Sequence, residues 1–319
     1  MQPRGSPYGA LGPGYRMREA TIRTLIKHVY AHLPFRRPVL EVLRRTVRLP
    51  RNLTGHLHFR GPFTVEIDEF HRFRLQHWGY MLENDLFWNG FGNGYEGTSL
   101  QIWRRLAQHA HVILDVGANT GIYALAARCL NPTATVVALE PVERVFRRLQ
   151  RNVELNGGNV TVEKLAASDI TGEAPIYDFS SDHELTASLH PSMSEGCGGV
   201  VEYAVATKRL DDVLSGAGLG SVNLVKIDVE LFEPQVLLGM GAFLSNCKPT
   251  LLIEILNERV AREVSDITRD LGYNIFQIVE QLGLVRTGYI RATGFKERNY
   301  LLAQDGIVEL ANIRDFVVQ

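Results

Sequence analysis

Between residues 112 and 255, short runs of consecutive apolar residues alternate with segments whose apolar positions recur every three or four residues. Residues 112–116, 135–139, 160–165, 222–229 and 250–255 read as strands buried on both faces, because no polar alternation marks a wet side. Residues 122–130, 141–155 and 234–244 read as the helices between and behind them. Strands alternating with helices predict βαβ units and an α/β fold with a doubly wound, parallel sheet. The late segments 273–279, 283–289 and 299–302 have no long helix between them and predict a C-terminal β-hairpin completing that sheet.

The pattern upstream is different. Residues 1–15 are rich in Gly and Pro and read as a tail. Ile22, Leu25, Ile26, Val29, Tyr30 and Leu33 fall on one helical face, with Arg23, Lys27 and His28 elsewhere, which predicts a basic amphipathic helix over residues 21–33. A second basic helix follows Pro38, with Leu40, Leu43 and Val47 inward. Loose alternation over residues 53–78 predicts short antiparallel strands around a Gly61-Pro62 turn. A Gly-rich stretch at 89–94 then closes the extension, and a helix is expected over 98–110. The divide is drawn at residue 95: 1–95 as tail, basic helices and small β extension, and 96–319 as the main domain.

Charge sharpens this division. The 319 residues carry a net charge of −1, but residues 1–60 hold twelve Lys/Arg against two acids, for +10. The rest holds 22 Lys/Arg against 33 acids, for −11. The extension therefore fits a peripheral membrane surface or protein contact, or packing on the main domain. Three dispersed cysteines (Cys129, Cys197, Cys247), no apolar leader and no long apolar run predict a cytoplasmic protein without a disulfide framework.

The densest chemistry is ILDVGANTGIYALAA, residues 113–127. A buried strand delivers Asp115 at its carboxyl end, Gly117 and Gly121 flank a turn, and a helix opens at once. Ligands of open α/β sheets bind at such ends, and helix N-termini receive anionic groups. A dinucleotide site wants G-x-G-x-x-G, but Asn119 and Ile122 occupy the second and third glycine positions. S-adenosylmethionine fits better. Its carboxylate would lie near the amides of Gly117, Ala118, Asn119, Thr120 and Gly121, and Asp115 offers charge to its cationic end. Glu140, followed by Pro141 at the end of the next strand, suits both ribose hydroxyls.

With GYEG (94–97), DVGANTG (115–121), ALEP (138–141), RNVELNG (151–157), AASD (166–169), ASL (187–189), KRLDDVL (208–214), VKIDVELFE (225–233) and PTLLIEI (249–255), the chain resembles the FkbM-type family of class I S-adenosylmethionine-dependent methyltransferases over residues 95–254. The resemblance implies a Rossmann-like sheet and methyl transfer to a hydroxyl of a sugar, glycan or polyketide-like secondary metabolite. It departs at Leu231, where the family usually has Gly, and at Ala166, where many class I enzymes place the adenine acid; Ala167, Ser168 or Asp169 substitutes there. By the same resemblance Glu96 reaches the cofactor or fixes the entry loop, against a simple helix cap.

An alcohol acceptor must lose its proton during in-line displacement, so a carboxylate or histidine is needed within reach. Asp228 is the expected base or cofactor contact, with Glu230 at the same strand parity. His183 and His190 lie in an insertion able to cover the cleft, and His183 joins the catalytic candidates. The histidines of the extension, His56, His58, His71 and His77, read mostly as surface residues. No Cys/His ligand spacing predicts a metal; Asp228 with Glu254 would suit Mg²⁺, the weaker reading. The rivals are an RNA methyltransferase using the +10 segment, whose binding would weaken steeply with salt, and a non-catalytic binding module. A missing N-P-P-Y motif favours oxygen over exocyclic nitrogen as acceptor, and nucleic acid is not the expected partner.

Overall fold

A computed structural model describes residues 36–179, 187–189, 200–294 and 297–318. The expected helix over 21–33, together with His183 and His190, lies outside the described residues. Contacts divide the chain into Met1–Phe59 and Arg60–Gln319, at the charge boundary. In the first unit, α1 (Arg36–Thr46) places Arg44 and Arg45 in its last turn, where cations offset the helix dipole. α2 (Arg51–Thr54) follows where the alternation of LTGHLHFR predicts a strand; Pro50, with φ −68°, starts a helical turn instead.

The second unit opens with the antiparallel pair β1 (Gly61–Glu66) and β2 (Arg72–His77), Phe63 opposite Leu75 and Val65 opposite Phe73. Gly61-Pro62 begins β1 rather than forming the turn. The turn is made at Asp68, whose Oδ1 accepts N–H bonds from Phe70 at 3.0 Å and His71 at 2.8 Å. His77 is buried, not a surface residue, and its Nδ1 accepts the Gly79 N–H at 2.9 Å. After α3 (Met81–Asn89) and α4 (Gly97–Ala107) comes the core: β3 (Val112–Val116), α5 (Ile122–Leu130), β4 (Thr135–Leu139), α6 (Glu143–Leu155) and β5 (Thr161–Glu163). The hairpin that the sequence reading groups with the basic helices is fastened to α6. Asn156 Oδ1 accepts from Arg74 N at 2.8 Å, and Asn152 Oδ1 from Gln76 N at 2.8 Å, so two asparagines one helical turn apart pair with alternate residues of β2.

The segment between β5 and the next core strand is a second sheet that the apolar pattern does not reveal. It comprises β6 (Ala166–Ala167), β7 (Gly172–Phe179), β8 (Ala187–Ser188) and β9 (Val200–Lys208), in the order β6-β9-β7-β8. Much of β9 is exposed, so burial leaves little periodic signal there. α7 (Leu210–Gly216), β10 (Leu224–Ile227), α8 (Glu233–Gly239), α9 (Ala242–Cys247), β11 (Thr250–Glu254), α10 (Glu258–Thr268), β12 (Asn274–Val279), β13 (Gly283–Thr287) and β14 (Asn299–Ala303) complete the unit. The single helix expected over 234–244 is two, because Gly241 (φ 51°, ψ −130°) breaks it. α10 was not predicted, although Asn257 caps it by accepting the Val260 N–H at 2.9 Å.

The main sheet runs β13-β12-β14-β11-β10-β3-β4-β5, parallel from β11 through β5 and antiparallel beyond. This is the expected class I, Rossmann-like doubly wound sheet, with β14 inserted between the C-terminal hairpin and β11. Val112, Leu114 and Val116 pack with residues of α7, α8 and α10 in one core. Asp115, one residue out of phase, turns to α5 on the opposite face.

Candidate active site

Chain order reverses beside β3, with β4 on one side and β10 on the other, so the ends of these strands frame a crevice. The turn from β3 to α5 is built on positive φ: Gly117 (78°), Asn119 (51°) and Gly121 (91°). A Cβ on Gly117 would lie 1.8 Å from the Asp228 carbonyl oxygen, so only glycine lets the turn approach the end of β10. Gly117 N and Ala118 N donate to Leu139 O at 3.0 and 2.9 Å, and Gly121 N to Ala118 O at 2.8 Å. Those three amides, and Asn119 N at Glu140, are spent inside the protein, which leaves Thr120 N and the first amides of α5 for a ligand. Asn152 completes the turn by donating its Nδ2 to Thr120 O at 2.7 Å. One buried side chain of the RNVELNG segment thus fixes both the ligand turn and β2, a role without a signal in the sequence.

Asp115 is buried; its Oδ2 accepts the Ala124 N–H at 2.9 Å, while Oδ1 and the Thr120 hydroxyl are buried without a partner among the described residues. Burial pushes Asp115 up to about 6, against the opposing charge of Lys226. Glu140 follows β4 and accepts Asn119 N and Val142 N, each at 3.0 Å. Pro141 between them has no N–H to compete. Burial raises Glu140 to about 7, although both amide bonds favour its ionised form.

Lys226 pairs across the sheet with Asp115 and is itself buried. Its Nζ donates to Asp228 Oδ2 at 2.8 Å and lies 4.6 Å from the Tyr123 ring centroid. Burial disfavours the ammonium, but the charges of Asp228, Glu96 and Asp115 outweigh it and raise Lys226 overall. Glu96 does not cap α4. Its Oε2 accepts the Tyr123 hydroxyl at 2.9 Å and its Oε1 the Asn299 amide at 3.0 Å. Glu280 holds the start of α4 instead, accepting Thr98 N at 2.7 Å and the Ser99 hydroxyl at 2.9 Å. Glu96 joins the acid group around Lys226.

The equal parity expected of Asp228 and Glu230 does not apply, because β10 ends at Ile227 and Glu230 (φ 55°) and Leu231 (φ 79°) turn left-handed. The turn nevertheless brings carboxylate oxygens of Asp228, Glu230 and Glu254 within 4.8 Å of one another. Burial would raise Asp228, but the Lys226 charge and hydrogen bond hold it low. Burial and the Asp228 charge push Glu230 up to about 7. Glu254, buried at the end of β11, is raised well above the carboxylate range by burial and by Asp228, with Arg298 Nη1 3.6 Å from its Oε1. Carboxylates so placed could offer oxygens to a cation, and Lys226 and Arg298 already supply positive charge beside them.

Ala167 ends β6, at the start of the second sheet; Ser168 N donates to Lys208 O at 3.0 Å, and its hydroxyl donates to Asp169 Oδ1 at 3.1 Å. No bond among the described residues links them to Asp115, Glu140 or Asp228.

The profile of the Methyltransferase FkbM domain matches residues 115–283. Among curated proteins, the chain is 27% identical over 202 residues to the AMB antimetabolite synthetase AmbE of Pseudomonas aeruginosa, covering 51% of this chain and 10% of that protein. It is 30% identical over 154 residues to the 31-O-demethyl-FK506 methyltransferase FkbM of Streptomyces tacrolimicus, covering 40% and 59%. It is 30% identical over 156 residues to the 2-O-methyltransferase NoeI of Sinorhizobium fredii, covering 44% and 64%. The chain therefore spans less than two thirds of the length of each of these relatives.

Proposed function

This chain belongs to the FkbM methyltransferase family, and from that premise we propose that it moves a methyl group from S-adenosylmethionine to a hydroxyl oxygen of a sugar, glycan or secondary metabolite. The observation that carries this reading is the junction of two acid groups around one buried cation, Lys226. Asp115, with one unpartnered oxygen, and Glu140 lie on the cofactor side; Asp228, Glu230 and Glu254 lie beyond β10 and β11. A non-catalytic module has no evident use for so costly a set of buried acids. Two relatives bear names of O-methyltransferases, which supports oxygen as the acceptor atom.

The residues fit S-adenosylmethionine chemically. Asp115 would face its cationic end, the start of α5 its carboxylate, and Glu140 its ribose hydroxyls. When bound, the cofactor supplies a methyl group already activated by a sulfonium. What this chain adds is alignment and proton removal. Asp228, held ionised by Lys226, is a weak base, whereas Glu230 at about 7 is matched to accept a proton near neutrality. Glu230→Gln is expected to lower methyl transfer by about 10²–10⁴-fold with cofactor affinity retained. Single-turnover kinetics with labelled cofactor and cell extract check this; unchanged turnover removes Glu230 as base.

Calorimetry with S-adenosylmethionine tests the reading at its base, and no binding by the intact chain would sink it. Two ribose bonds to an ionised acceptor contribute about 1.5–3 kcal/mol each, so Glu140→Ala is expected to weaken affinity at least tenfold. The Asn119 and Val142 amides add an expected stability loss of about 1–3 kcal/mol, because they lose their acceptor. Wild-type affinity is expected to fall as pH drops through about 7, where Glu140 gains a proton, and Glu140→Ala removes that part of the dependence.

A further inference from the structure

The second sheet touches the crevice on both sides. On the cofactor side, Arg144, four residues after Glu140, donates its Nε to Asp178 of β7 at 2.9 Å. On the other side, the Ser188 hydroxyl of β8 donates to the carbonyl oxygen of Glu230. β8 is paired to β7, Tyr177 opposite Ser188 and Asp178 opposite Ala187, so one piece of sheet carries both ties.

The tie at Glu230 falls on backbone that is poorly suited to its residues. Glu230 and Leu231 both have positive φ, a region that non-glycine residues enter only when their surroundings over-determine it. External bonds hold this backbone in place. Glu233 Oε1 accepts Val229 N at 3.2 Å and Leu231 N at 3.3 Å, and Arg259 Nη2 donates to Leu231 O at 2.9 Å. The Leu231 side chain is buried in the main core, which anchors the far end of the turn. Ser188 is the bond among these that comes from outside the parallel sheet and its flanking helices, and it acts on the residue that bears the proposed base.

We propose that Ser188 is a positioning residue: by holding the Glu230 carbonyl, the second sheet fixes the direction of the Glu230 carboxylate at the acceptor side of the crevice. The inference rests on the reading of Glu230 as base. It assigns the ASL segment a task, since Ala187 packs with Val142, Val145, Ala166, Ile176 and Val205 and so seats the serine.

The test uses the full chain with Ser188→Ala and Ser188→Thr. Amide hydrogen exchange at Val229 and Leu231 is expected to rise about five- to tenfold in Ser188→Ala, the worth of one net hydrogen bond, and to return towards wild type in Ser188→Thr. The kcat for transfer of labelled methyl to the best acceptor in a panel of methyl glycosides and cell-extract glycans should fall about tenfold in Ser188→Ala. The KM for S-adenosylmethionine should not change, and Ser188→Thr should restore kcat. Unchanged loop exchange, or raised exchange with unchanged kcat, overturns the inference while the wild-type activity stands. A wild-type protein that labels nothing sinks the function and this inference with it.

Discussion

Lys226→Met is expected to lower the unfolding free energy by about 3–5 kcal/mol, the usual result of removing one partner from a buried ion pair. The methionine has similar length, so packing is largely kept and the loss reports charge. Lys226 is the buried cation facing Asp115, Glu96 and Asp228, and its Nζ binds Asp228 at 2.8 Å. Without it, the three carboxylates remain in a crevice where burial already lifts Asp115 to about 6. The sign of the pH dependence follows. In the variant Asp115 and Glu96 rise further above their unfolded values and Asp228 loses the charge that holds it low, so the folded state holds more protons than the unfolded state in that window. Stability then falls as pH rises, and the deficit against wild type is greatest above about pH 7 and narrows towards pH 5. Urea unfolding of both proteins at the two ends of that range checks the prediction. A deficit below about 1 kcal/mol, or one independent of pH, would show that the acids are not held together by this lysine.

Gly117→Ala is expected to abolish measurable cofactor binding and to destabilise the protein by about 2–5 kcal/mol. A left-handed alanine costs about 1–2 kcal/mol, and forcing a methyl group into packed space about 1–3 kcal/mol more. The obstacle is backbone, the Asp228 carbonyl oxygen at 1.8 Å, so relief requires β3 and β10 to separate where the site is assembled. Gly121→Ala is the matched control. Its Cβ would meet Leu149 Cδ1 at 2.5 Å, the movable end of a side chain, so its effect on affinity should be smaller. Calorimetry and thermal unfolding of the two variants side by side decide the matter. Equal losses would mean that the turn's own conformation, and not its approach to β10, sets the site.

The five parallel strands, the ligand turn with Asp115 and the acid of the next strand were legible in the sequence. Each is written locally: an apolar run of five residues, glycines at fixed offsets, an acid at a strand end. A strand buried on both faces has few alternatives once helices flank it. Elements whose signal is split between distant segments were not legible. The second sheet is half exposed, so its strands lack a hydrophobic period. The β1–β2 hairpin carries the right alternation, but its attachment depends on Asn152 and Asn156, 76 and 82 residues away. The hairpin accordingly belongs with the unit Arg60–Gln319.

By itself, then, the sequence determined the parallel part of the sheet and the family, because hydrophobic periodicity and turn chemistry act over a few residues. Only the tertiary structure decided what each acid is. Asp228 is held charged by a lysine two residues away, while Glu230 and Glu254, equally acidic on paper, are raised by burial beside it. Glu96 faces Tyr123 and Asn299 rather than a helix end, and Ser188 reaches a carbonyl 42 residues away. Protonation and hydrogen bonding depend on distance and burial in three dimensions, and strand parity does not extend past the residue where the strand ends.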